Sequence, residues 1–176
     1  MAVTMSRVQL DEILPAVYHD LRSIASQALK RESSDHTFQT TELVHEIYLK
    51  LAGIRELDWT DSDQLLRAAV GIVRRILIDY ARAKKATKRV PDGSAAFENP
   101  LCYHDENGIS APPDLLELEE ALERLQALDP RKSEVVHLRY FGGQDVETVA
   151  RLLQISPTTV KREWALAKAW LYRELS

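Results

Sequence analysis

Asp145 to Lys168 reads DVETVARLLQISPTTVKREWALAK, and this order of residues predicts two helices across a tight turn. Val146, Val149, Ala150 and Leu153 fall on one side of a short first helix. Gln154-Ile155 makes the turn. Ser156 is a good N-cap for a longer second helix, and Pro157 falls at its first position, where a missing N–H costs nothing. Ala150 is small where the two helices must cross. Val160, Trp164, Ala167 and Leu171 form the expected buried stripe of the second helix, which leaves Thr158, Thr159, Lys161, Arg162 and Lys168 facing outward. A helix-turn-helix of this kind puts the N-terminal half of its second helix into the major groove of DNA. Threonine can contact bases or phosphates, lysine and arginine can contact phosphates or guanine edges, and a helix start capped by Ser156 itself favours phosphate. A helical hairpin with a solvated polar face shares the spacing, but cap, turn, small residue and basic face together favour DNA. Gln154 stands where such turns often carry glycine; a left-handed conformation there would cost up to about 1 kcal/mol.

Outward from this stretch the chain continues to read as helix. Leu115, Leu118, Leu122 and Leu125 mark one helix, expected to end at Pro130, and Val135 to Phe141 another, closed by Gly142-Gly143. Further upstream, Leu66, Ala69, Val70, Val73, Ile76, Leu77 and Tyr80 form the stripe of a long helix capped by Asp61 or Ser62 and ending near Arg89. A helix carrying Val44, Ile47, Tyr48 and Leu51 precedes it, capped by Thr40 or Thr41 and stopping at Gly53. A first helix carries Leu10, Leu14, Val17, Leu21, Ile24 and Ala28, with Pro15 either in its first turn or at a kink. Residues 90–113 hold four prolines and no helical stripe, so they read as an extended linker. With 6 glycines in 176 residues, 45% hydrophobic content and few β-branched runs, the expected fold is all-α: two small helical domains, 8–90 and 114–176, joined by an acidic linker, 91–113.

The formal charge of −4 hides an uneven distribution. Residues 74–89 carry Arg74, Arg75, Arg82, Lys84, Lys85, Lys88 and Arg89 against Asp79 alone. Residues 90–123 carry nine carboxylates and no lysine or arginine. Residues 124–176 are net basic again. Two basic segments around an acidic one suit a nucleic-acid binder whose middle stays off DNA.

TELVHEIYLKL (41–51) and AAVGIVRRILIDYARAKKATKR (68–89) resemble region 2 of the sigma-70 family. LERLQALDPRKSEVVHLRYFGGQDVETVARLLQISPTTVKREW (122–164) resembles its region 4. With only these two regions and a short linker, the chain is similar to the extracytoplasmic-function (group IV) sigma factors. The resemblance implies that 8–90 binds the β′ clamp helices of core RNA polymerase and opens the −10 promoter element. It implies that 114–176 binds the β flap and reads the −35 element. Glu42, His45, Glu46 and Lys50 fall on the helix that would meet β′. The long basic helix and the loop 53–64 would face the −10 strand, with Trp59 and Tyr80 as candidates for base stacking. Where the family often has Lys-Ser-Arg after Thr-Val, this chain has Lys161-Arg162-Glu163.

Catalytic chemistry finds no support. His45-Glu46 opens like a zinc-protease helix, but the residue four beyond His45 is Leu49, not histidine. Cys102, His104, Asp105 and Glu106 are a weak metal set in an acidic linker. There is no glycine-rich phosphate loop and no nucleophile–base pair. The expectation is a protein that is not an enzyme and needs no cofactor. One cysteine, no apolar leader and no apolar run near the roughly 20 residues that span a bilayer point to the cytoplasm. The expected partners are core RNA polymerase and promoter DNA. An anti-sigma factor, or a Ser/Thr kinase acting at Thr40 or Thr41, is a candidate regulator. A helix-turn-helix regulator that binds operators without serving as a sigma subunit is the alternative.

Overall fold

A computed structural model of the protein describes residues 7–31, 39–58, 60–87, 104–105, 108–109 and 114–175. Three helices come first: α1 (Arg7–Arg31), α2 (Thr40–Ala52) and α3 (Ser62–Thr87). They pack mutually because each presents an apolar stripe to the others. Val17, Leu21, Ile24 and Ala28 come from α1, Leu43, Val44, Ile47 and Leu51 from α2, and Leu65, Ala69, Val73 and Ile76 from α3; all are buried. Pro15 lies inside α1, beyond its first turn, so α1 forgoes the hydrogen bond to the carbonyl four residues back. Asp61 caps α3 as expected, its Oδ1 accepting from the Asp63 and Gln64 N–H groups at 3.0 and 3.1 Å.

The cap of α2 differs from expectation. Gln39 occupies the N-cap with extended backbone, φ −86° and ψ 152°, and the Glu42 carboxylate accepts its N–H at 3.0 Å. Thr40 and Thr41 are therefore the first two helical residues, not caps. Their hydroxyls lose the capping role because a carboxylate three residues past the N-cap closes the turn from the other side.

The C-terminal helices are α4 (Leu115–Leu128), α5 (Pro130–Val136), α6 (Val146–Leu153) and α7 (Pro157–Leu175), and α5 runs directly into a π-turn, His137–Phe141. Asp114 caps α4, accepting the Leu116 N–H at 2.7 Å. Asp129 caps α5, accepting the Lys132 N–H at 3.1 Å. Pro130 thus opens a helix, at the position where proline is best tolerated, as well as marking the end of α4. Leu118, Leu122, Val135, Val136, Phe141, Val160 and Leu171 fill the core between these helices.

The two sets of helices touch directly, which an extended linker alone does not predict. α3 packs on α4 and on the π-turn, and the π-turn also reaches α1. Bare backbone makes the approach possible. A Cβ on Gly142 would lie 2.7 Å from Val70 Cγ2, and one on Gly143, whose φ is +62°, would lie 2.8 Å from Gln27 Cβ. Ion pairs flank that contact. Arg74 grips Glu119 with two hydrogen bonds, 2.9 and 2.6 Å, Arg67 lies 3.3 Å from Glu134, and Arg151 pairs with Asp63.

Within the expected linker, His104–Asp105 and Gly108–Ile109 form a two-residue antiparallel ladder, so those four residues are paired with one another and not simply extended. The rest of 91–113 lies outside the described residues, as do Trp59, Lys88, Arg89 and Cys102 and the side chain of Lys84.

Candidate nucleic-acid interface

The helix-turn-helix is built as its residues require. Asp145 starts α6, its carboxylate accepting the Thr148 N–H at 2.7 Å. Val149, Ala150 and Leu152 are buried against the following helix. The chain then reverses at Gln154, which adopts the left-handed conformation, φ 54° and ψ 43°. The turn closes through the Ile155 N–H, which donates to the Ala150 carbonyl at 3.0 Å. Ser156 caps α7: its Oγ accepts the Thr159 N–H at 3.1 Å and lies 2.8 Å from the Thr159 hydroxyl. Pro157 is the first residue of α7.

The exposed side of α7 carries most of the expected contacts. Ser156, Thr158, Lys161 and Arg162 are exposed and Thr159 is half-buried. Lys168 is half-buried as well, its ammonium 5.4 Å from the Trp164 ring centroid. Arg139 lies over the same ring at 5.5 Å, so Trp164 makes a pair of cation–π contacts. Trp164 is half-buried and packs against the edge of the core, not within it. Glu163 takes its place, 2% exposed, beside Val160, Ala167 and Leu171. Desolvation acts to raise the Glu163 pKa, but hydrogen bonds from Lys132 and Arg162 and the charges of Lys132 and Arg131 outweigh it and hold the carboxyl below its ordinary range.

α3 divides its basic residues between two tasks. Arg75, Arg82 and Lys85 are exposed, and Arg82 lies 3.7 Å from Asp79, one turn back. Arg74 is different. Its side chain is 25% exposed and its guanidinium is held bidentately by Glu119, itself 13% exposed. In this arrangement Arg74 thus has two of its five donors, on Nε and Nη2, engaged by a carboxylate and little of its side chain open to DNA. Tyr80 is half-buried. Near Arg74 the half-buried His137 has its pKa pushed down to about 4, first by desolvation and then by the Arg74 charge.

α2 shows an outer face of Thr41, Glu42, His45, Leu49 and Lys50, all exposed, with Glu46 half-buried. Glu46 pairs with Lys50 at 3.5 Å, and Glu42 shares its charge with the helix cap. No sequence pattern marks Leu49 as part of this face. It is 52% exposed, an apolar side chain among charges.

The residues that sequence reasoning missed sit around Glu163. Its spacing from Val160, Ala167 and Leu171 puts a carboxylate on an apolar stripe, and a buried carboxylate requires cations nearby. Arg131 and Lys132, thirty residues earlier in the chain, supply them.

An all-helical chain that closes on a capped helix-turn-helix with hydroxyls and cations at the start of its second helix belongs among the DNA-binding proteins of transcription. A family model described as ECF sigma factor matches residues 7–176. The chain belongs to the ECF sigma factor family, and its role is that of a sigma factor in transcription initiation. Core RNA polymerase and promoter DNA are the partners that membership implies. A comparison with curated proteins returns no match. Among the described residues no helix is long and apolar enough to cross a membrane.

Proposed function

We propose that this chain binds core RNA polymerase, directs it to particular promoters and helps open the DNA there. Residues 8–90 serve the polymerase clamp and the −10 element, residues 114–176 serve the β flap and the −35 element, and 91–113 join them. The observation that carries this reading is the start of α7. Ser156 caps the helix and so presents it, with Thr158, Lys161 and Arg162 exposed over its first turns, as a major-groove reader requires.

Around that element the remaining surfaces take their places. The exposed Glu42, His45, Leu49 and Lys50 on α2 suit a protein partner, since one apolar side chain ringed by charges gives both affinity and orientation. Arg75, Arg82 and Lys85 on α3 follow the phosphates of the strand being opened. The protein works by binding, without catalytic residues or cofactor, in the cytoplasm where polymerase acts. An anti-sigma factor, or a kinase acting on the exposed Thr41, would govern access to α2.

Transcription in vitro with purified core polymerase tests the reading. This chain plus core alone should give transcripts from discrete start sites on genomic DNA. A chain that binds duplex DNA yet yields no such transcripts with core would be a helix-turn-helix regulator and not a sigma subunit.

A further inference from the structure

Glu163 lies deep on the inward face of α7, its side chain 3% exposed. A carboxylate at that depth persists only when cations and hydrogen bonds replace its water. Arg131 donates from Nη2 to Oε1 at 3.2 Å, and Arg162 donates from Nη2 to the same oxygen at 3.1 Å. Lys132 Nζ lies 3.1 Å from Oε2. The lysine is also paired with Asp129 and is 23% exposed, so it is spent inside the cluster.

The two arginines are placed differently. They come from separate helices, α5 and α7, share one carboxylate oxygen, and remain 52% and 64% exposed. A guanidinium has five N–H donors in a planar fork, and one bond to Glu163 leaves donors for a second anion. Arg131, Lys132 and Arg162 against Asp129 and Glu163 leave one net positive charge, so the cluster still attracts an anion. Unpaired, two guanidinium groups repel and spread. Gathered on a common oxygen, their spacing is set before any ligand arrives, which lowers the ordering cost of binding.

We propose that Arg131 and Arg162 form a clamp for one backbone phosphate of duplex DNA beside the recognition helix, with Glu163 as the buried positioning residue that holds the pair together. The proposal rests on the reading of α7 as a recognition helix. It makes Arg162 a backbone contact, which fixes register without reading sequence, and leaves base discrimination to Thr158, Thr159 and Lys161. Arg131 joins the DNA interface from outside the helix-turn-helix.

The test uses the full chain and two duplexes of equal length: one selected from a randomised pool by the wild-type chain with core polymerase, and a scrambled version of it. Arg131→Ala and Arg162→Ala should weaken both duplexes by the same factor and flatten the dependence of log K on log salt. Because the pair holds a single phosphate, the double variant should lose about 0.9 of slope in all, not twice that. Arg131→Lys keeps the charge and should restore most of the slope. Glu163→Gln should weaken the selected duplex while the scrambled one holds or gains, since the freed cations still attract phosphate but no longer fix its place. Equal losses on both duplexes for Glu163→Gln would make that residue merely structural and overturn its positioning role. Thr158→Ala with Lys161→Ala reports on the recognition helix separately. If that pair weakens the selected duplex while the arginine variants leave the slope unchanged, the clamp is overturned and the recognition helix stands. If none of these variants changes binding, both fall.

Discussion

Gln154 holds φ 54° and ψ 43° with a Cβ attached, a conformation that glycine adopts without steric cost. It is exposed, so its side chain contributes little packing to set against that cost. Gln154→Gly should therefore stabilise the protein by up to about 1 kcal/mol, a rise of about 2–4 °C in the thermal midpoint for a chain of this size. His137 acts in the opposite sense. Its Nε2 is buried without a hydrogen-bond partner, and its pKa is lowered from 6.5 to about 4 by burial and by Arg74. The unfolded chain takes up a proton below pH 6.5 while the folded chain does not, so stability is lost as the pH falls from 6.5 towards 4. The whole effect is of order 3 kcal/mol at most. His137→Leu should flatten that part of the pH–stability profile in urea melts. Glu163, Asp129 and Asp145, whose pKa values are lowered, contribute stability that disappears only at more acid pH, as each carboxylate is protonated.

At the scale of the element, the caps decide where each helix begins. Since Glu42 closes the start of α2 on the Gln39 N–H, Glu42→Ala should cost about 1 kcal/mol. Thr40→Ala and Thr41→Ala should each stay within about 0.5 kcal/mol of wild type. Chemical denaturation of the three variants checks the order. Residues 40–52 also show how far sequence alone reaches. Apolar spacing located α2, α3, α4, α6 and α7, and Asp61, Ser156 and Pro157 placed two helix starts correctly, because period and cap chemistry are local. Gln39 escaped notice because glutamine is a poor cap by type; only the carboxylate three residues later makes it one. The same locality limited the view of the binding surface. Thr158, Lys161 and Arg162 were legible as an outward face, whereas the Arg131–Glu163 contact joins residues distant in the chain and has no local period. The basic neighbours of Arg74 point it towards DNA, and only the packing of α4 brings Glu119 to it.

Among the described residues, direct contacts join the N-terminal helices to the C-terminal ones. Glu119, by gripping a largely buried Arg74, competes with DNA for its guanidinium. Glu119→Gln should therefore lower stability by about 1–3 kcal/mol, the worth of a charge-assisted pair, and at the same time raise affinity for duplex DNA. Urea melts and binding isotherms on one preparation measure both effects. A double-mutant cycle with Arg74→Gln should show that the two positions are coupled and not additive. Arg67→Gln, which removes the more exposed pair with Glu134, should cost less than about 1 kcal/mol.

Gly142 and Gly143 leave the backbone bare where it meets Val70 and Gln27. On its glycine side a joint of that kind has no side chain to re-pack, so it tolerates little sliding. A shift of a fraction of an ångström forfeits much of the contact. The two halves should behave like a press-stud, engaged or free, with little in between. A half-engaged population is then a mixture of two species, and a pair of distance labels across the joint should give two peaks whose proportions change, never one peak that drifts.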